Sequence, residues 1–172
     1  FERNFDSFHK HADDIYRVTT ICKKDVTPDD KRATTMPWSG PGIKEEFPEV
    51  LEYARFADFE HFTGYNSISY NDTRIDEQDI FLADPGFLKI FSFRLLKGDF
   101  EKALTDPSSV VITNTIAKKY FKNDDPIGKI LFIDTHDHLT QNNFKVTGVI
   151  DDPPPNTHLT FDFLISYNAV WK

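Results

Sequence analysis

Residues 134–138, Asp-Thr-His-Asp-His, place two imidazoles and two carboxylates within five positions. Side chains alternate along a strand, so His136 and His138 would share a face and, with Asp134 or Asp137, could hold zinc. The stretch also lies in a polar run between two strand-like segments, where charged residues at a hairpin tip need no ligand. The plainer reading is preferred, and no metal ligands are assigned. Asp76, Glu77 and Asp79 form a second cluster, Asp-Glu-Gln-Asp. Paired carboxylates can do acid–base work, but on the solvent face of a strand they need no function. Residues 125–130, Asp-Pro-Ile-Gly-Lys-Ile, contain Gly-Lys but lack the upstream glycine of a phosphate-binding loop, and Ile130 stands where that loop needs Ser or Thr. No Gly-x-Ser-x-Gly occurs, and the lone Cys22 excludes an intrachain disulfide or a cysteine-based zinc site. Asn71-Asp72-Thr73 fits a glycosylation acceptor, a pattern frequent by chance. Trp38, beside Pro37, is either an exposed aromatic anchor or, more commonly, a core residue. No catalytic, cofactor-binding or metal-binding residues are assigned, and a non-enzymatic binding, structural or coupling role is expected.

The elements that must position these residues read as mixed. Residues 15–24 alternate and are rich in β-branched side chains, which predicts a strand; 26–37 reads as a loop. A short helix is expected after Trp38, capped by Ser39 or Gly40 and ended by Pro48. Strands follow at 50–59 and 67–83, the latter folded at Asn71–Thr73. Asp84 and Pro85 suit the N-cap and first turn of a helix over 84–91. The stretch 92–99 reads as a strand ended by Gly98. Then come a strand (108–113), a helix (114–121) capped by Thr113 or Asn114, and strands at 130–134 and 144–150. Ile116, Tyr120 and Phe121 share one face of that helix. This β-α-β-β order indicates an α+β unit. Three prolines, 153–155, then precede a last β-rich run, 161–166.

The totals fit a folded chain of 172 residues, 39% hydrophobic and 15% aromatic. The net charge of −8 and the scattered basic residues argue against nucleic acid and anionic lipid as partners. No apolar run approaches the ~20 residues that span a bilayer. The polar start and the strand-like end suggest a piece of a longer protein.

Five segments in order, "FDSFHKHADDIYRV", "FPEVLEYARF", "LADPGFLKIFSFRLLKGD", "SSVVITNTIAKKYFKNDDPIGKIL" and "FKVTGVIDDPPPNTHLTFDFLIS", resemble the MacB-like periplasmic core domain of FtsX/MacB-type ABC transporter permeases, in the style of Bacteroidetes-type bacteria. The resemblance implies a porter-like α/β lobe, incomplete at the C-terminus, with an inserted small Sabre-like β-α-β-β lobe. Residues 1–83 would be the first porter part, 84–155 the approach and the Sabre-like lobe, and 156–172 the return to the porter. It implies a bacterial inner membrane protein with this domain on the periplasmic side, coupling ATP-driven motion of membrane helices to export or to an extracytoplasmic partner. The partners implied are a separate cytoplasmic ATP-binding cassette subunit, a second permease in a dimer, and a periplasmic adaptor or substrate protein. The isolated domain is expected to be monomeric. The alternative from another class is a stand-alone periplasmic ligand-binding module with a cleft between two lobes.

Residues 151–157 are expected to cross between lobes rather than turn a hairpin, because they hold three prolines and no glycine. On that reading 144–150 pairs with 130–134, and 161–166 leaves their sheet for the lobe containing 15–20. Metal analysis of untagged protein should find no stoichiometric zinc or nickel. Metal that disappears in a His136→Ala/His138→Ala double variant would overturn that expectation.

Overall fold

The structure is a computed structural model, and it describes residues 5–22, 30–59, 66–135, 139 and 141–170. Its first elements are short. Strands β1 (Thr20–Cys22) and β2 (Asp30–Arg32) pair antiparallel as a separate two-stranded sheet. β2 lies where the polar sequence reads as loop, since backbone pairing with β1 needs no apolar side chains. Helix α1 (Ser39–Glu46) follows directly after Trp38 and buries no residue.

The main sheet contains β3 (Phe56–Asp58), β4 (Asn66–Tyr70), β5 (Thr73–Glu77), β6 (Ile80–Ala83), β7 (Leu95–Gly98), β8 (Ser109–Thr113), β9 (Ile130–Ile133), β10 (Asn143–Ile150) and β11 (Phe163–Ser166). Its order is β3-β6-β11-β8-β10-β9-β4-β5, with β7 paired to β10 beyond the end of β9. Helix α2 (Gly86–Ile90) lies between β6 and β7, and α3 (Asn114–Phe121) follows β8. The expected β-α-β-β unit is present: β8 runs parallel to β10, and β9 is antiparallel to it.

Alternation along the central strands explains why this sheet is covered on both faces. Val110, Ile112, Phe163 and Ile165 join Ile116, Tyr120 and Phe121 of α3 in one core. Val111 and Leu164, one position out of phase, join Phe87 and Leu88 of α2, with Phe93, Leu104 and Phe161, in the other. The second core is aromatic: Phe93 and Phe161 meet edge-on at 5.0 Å, and Phe56 stacks on Phe87 at 5.1 Å.

β10 serves two neighbours, β9 and then β7, on one edge, and carries a bulge on the other edge, against β8. Val146 pairs with Val110 but Gly148 pairs with Val111, so Thr147 is the extra residue. The Thr147 hydroxyl donates to the carbonyls of Ala103 and Val110. Gly98 ends β7 against this bulge with φ 105°, and a β-carbon there would lie 2.3 Å from the Thr147 carbonyl oxygen.

The proline connector skips a strand. β10 and β11 are not paired; β11 is antiparallel to β8 and parallel to β6. Residues 151–162 therefore arch over the end of β8, a span of two strand spacings, about 10 Å. Asp152 ties the arch to the start of α3, accepting the Thr115 N–H and hydroxyl, each at 2.9 Å. The connector is thus no hairpin turn, but 161–166 does not leave the sheet as expected. It fills the slot between β6 and β8, where both of its edges find partners and both faces find core. Strands from all three expected stretches share this sheet, and β4 pairs with β9. The boundaries at 83 and 155 therefore mark no break in it.

Thr113 caps α3 as expected, its hydroxyl accepting the Ile116 N–H. Asp84 does not cap α2. Its carboxylate turns to Arg55, accepting from Nε and from the terminal nitrogen at 2.7 Å each, and from the Arg55 N–H at 2.8 Å. A guanidinium fork satisfies both oxygens of a buried carboxylate, which exposed helix amides would not.

Gly98→Ala should destabilise the chain by about 2 kcal/mol, the strain of a left-handed alanine pressed on a carbonyl. Urea denaturation checks this: the midpoint should fall with the slope unchanged.

Candidate functional site

The residues singled out by their chemistry do not converge. Asp134 lies 3.6 Å from Arg74, and its N–H donates to the Ser67 carbonyl. His136, Asp137 and His138 lie outside the described residues. Among the described residues no group of three or more His, Cys, Asp or Glu could hold a metal ion. Asp76 faces solvent on β5, whereas Glu77 is buried and accepts the Tyr120 hydroxyl at 2.6 Å and Lys119 at 2.8 Å. Burial, and then the bond to Glu77, push the Tyr120 phenol well above its usual range, so it stays a donor. Glu77 therefore fastens α3 to β5. Asn71 occupies the left-handed turn between β4 and β5, and Trp38 is 67% exposed. Of the two readings of Trp38, the exposed aromatic holds.

Asp79 leads to an open cleft of about 260 Å³ whose lining includes Asp79, Thr115, Asp152, Pro153, Phe161 and Asp162. Each lining group is there for a local reason. Asp79 sits at φ 56° and its carbonyl accepts the Asp162 N–H. Asp152 caps the first turn of α3, and Asp162 accepts the Thr113 hydroxyl at 3.2 Å. Burial pushes the Asp162 carboxyl above its ordinary range, the Thr113 bond opposes this, and Asp79 and Glu77 add to the rise. The lining can attract positive charge. The Thr115 hydroxyl and amide both donate to the Asp152 carboxylate, which fixes that carboxylate at the start of α3. Sequence reading missed this grouping. Its signal was Asp162 between Phe161 and Phe163, a carboxylate inside an apolar run.

A second feature is apolar and exposed. From Lys10 to Asp58 no described residue is buried. Tyr16 (83% exposed), Met36, Trp38, Phe47 and Leu51 (86%) all face solvent. Single exposed apolar residues are ordinary on a protein surface, and these five come from a stretch in which nothing described is buried. Arg55 anchors this part, reaching the Pro37 carbonyl at 3.2 Å from the same guanidinium that holds Asp84. That guanidinium also lies 4.0 Å over the Tyr167 ring.

The fold is an α+β sheet covered on both faces, with several exposed apolar side chains outside it. The chain matches the MacB-like periplasmic core domain family over residues 1–172, and it belongs to that family. A domain assigned to a permease protein from Porphyromonas gingivalis is similar, with TM-score 0.58 and 27% identity over 75% of this chain. The periplasmic region of MacB from Actinobacillus actinomycetemcomitans shares the fold, with TM-score 0.51 and 14% identity over 68% of this chain. The chain spans 56% and 48% of those two structures. No match was found among the curated proteins. Among the described residues no helix is long and apolar enough to cross a membrane.

A raised carboxyl costs stability while charged, and the cost is relieved as pH falls through the folded-state value towards the ordinary Asp value of about 3.9. Asp162→Asn should therefore raise the melting temperature by about 2 °C at pH 7. The gain should vanish at pH 3. Thermal unfolding of both proteins at the two pH values checks the sign.

Proposed function

We propose that this chain is the extracytoplasmic domain of an ABC transporter permease. It couples ATP-driven motion of membrane helices to export or to an extracytoplasmic partner, and it performs no catalysis itself. The family match over the whole chain carries this reading. The sheet supports it, because strands buried on both faces form a stiff body suited to passing on a displacement. The exposed side chains of Tyr16, Met36, Trp38, Phe47 and Leu51 support it as candidates for the contact. On this reading the porter-like stretches (1–83 and 156–172) and the Sabre-like stretch (84–155) move as one body, since their strands share a sheet. The working partners are a cytoplasmic ATP-binding cassette subunit, a second permease copy, and a periplasmic adaptor or substrate protein.

The full-length gene product, extracted from membranes in mild detergent, should co-purify with an ATP-binding cassette subunit. ATP hydrolysis by that complex should change when Trp38 and Leu51 are both replaced by serine, with the melting temperature of the domain unchanged. A monodisperse full-length protein that carries no ATPase subunit would overturn the reading.

A further inference from the structure

Between Phe5 and Asp58 one described residue is fully buried: His9. Its ring packs against Phe8, Phe91 and Phe93 at centroid distances of 4.0, 5.2 and 5.5 Å. Nδ1 accepts the backbone N–H of Ser92 at 3.1 Å. A ring nitrogen that accepts carries no proton, so the neutral ring holds its proton on Nε2. Nε2 is buried, has no hydrogen-bond partner among the described residues, and lies 4.0 Å from Asp6 Oδ1. The next residue reinforces the contact: the Lys10 N–H donates to Ser92 Oγ at 2.9 Å.

Asp6 fastens the same segment at its other end. With φ 56°, it turns its N–H to the Asn156 carbonyl at 2.9 Å. Its carboxylate accepts the Thr157 hydroxyl at 2.5 Å and the His158 N–H at 3.2 Å, and His158 Nδ1 lies 2.7 Å away. Residues 5–10 thus lie across two separate loops, the 91–93 turn and the end of the proline connector, and form no strand with either.

We propose that residues 5–10 are a strap, closed over Ser92 and over Thr157–His158 while His9 is neutral, and released when His9 takes a second proton. Protonation would put a hydrogen on Nδ1, facing the Ser92 N–H that now donates to it. It would also place a positive charge among three phenylalanine rings, out of water. Asp6 offsets part of that cost and is the charge that acts on His9 from its own segment. From the connector, His158 faces the other Asp6 oxygen. The 91–93 turn adds only two phenylalanines and a serine. Burial pushes His9 below its ordinary range, and Asp6 draws it part of the way back. The closed strap therefore binds fewer protons than the open one. Its stability is complete above about pH 6.5 and is lost as pH falls from there towards the closed-state value. Burial works against the Asp6 charge, but bonds from Thr157 and His158 outweigh it and hold that carboxyl below its usual range. Asp6 therefore stays charged while His9 titrates.

Amide hydrogen exchange of the whole chain between pH 7.5 and 5.5, followed by NMR and corrected for intrinsic rates, tests this. Protection of the Lys10, Ser92 and His158 amides should fall roughly tenfold over that range. Protection of Val111 and Leu164 in the sheet should hold. His9→Gln keeps an acceptor for Ser92 but does not titrate, and it should flatten the profile. If that variant leaves the strap open at every pH, the wild-type His9 ring resonance decides. Its inflection must coincide with the loss of Ser92 protection. A strap whose protection ignores pH while His9 titrates would overturn the proposal. So would an unchanged pH profile in His9→Gln.

Discussion

The sheet depends on one four-residue strand being buried on both faces and paired on both edges. Phe163, Leu164, Ile165 and Ser166 of β11 are all buried, between a parallel neighbour, β6, and an antiparallel one, β8. Burying each large apolar side chain there contributes about 1.5–3 kcal/mol. The one polar member is satisfied in place: the Ser166 hydroxyl donates to the Leu104 carbonyl at 2.8 Å and accepts the Asn168 N–H. Without β11, β3 and β6 would share no strand pairing with the strands from β8 onward. The stiff, glycine-free arch before it follows from this position. A chain that must leave β10, pass the end of β8 and enter a filled slot gains from having few conformations to lose.

The first third of the chain stands in contrast. It buries little surface of its own, and the Arg55–Asp84 fork joins it to the sheet. The Asp84 side chain is 4% exposed and that of Arg55 19%, so the pair is largely desolvated and tolerates no missing partner. Asp84 also accepts the Arg55 amide, and the Asp84 N–H returns to the Arg55 carbonyl at 3.1 Å. One ion pair thus positions the chain entering β3, the loop at Pro37 and the chain leaving β6. Gly86, next along, brings its backbone so close to Tyr53 that a β-carbon would lie 2.0 Å from the Tyr53 carbonyl oxygen.

Much of this was legible from pattern. The α3 cap at Thr113, its apolar face, the β9–β10 hairpin and the non-hairpin nature of the proline segment all follow from local chemistry. The place of β11 was not legible. Alternation identifies a strand, but an apolar four-residue run accepts any partner that covers both faces. The role of Asp84 was missed for a related reason: Asp-Pro reads as a helix start, and nothing near it announces an arginine 29 residues upstream. The acidic cleft was hidden because Asp79 comes from the β5–β6 loop and Asp152 and Asp162 from opposite ends of the proline connector, more than seventy positions away. Glu77 looked like a solvent-facing acid because its partners, Lys119 and Tyr120, lie more than 40 positions away.

The register of β11 also has a consequence for synthesis. Ile80 pairs with Phe163 and Ala83 with Ser166, contacts between residues more than eighty positions apart. As the chain leaves the ribosome, β6 and β8 are finished long before the strand that separates them. Until residues 163–166 emerge, each presents an open edge beside apolar side chains. Such non-local pairing slows folding and leaves nascent edges free to find wrong partners. The edges of β6 and β8 therefore stay open until the last strand arrives, which makes residues 163–166 the closing step of the sheet.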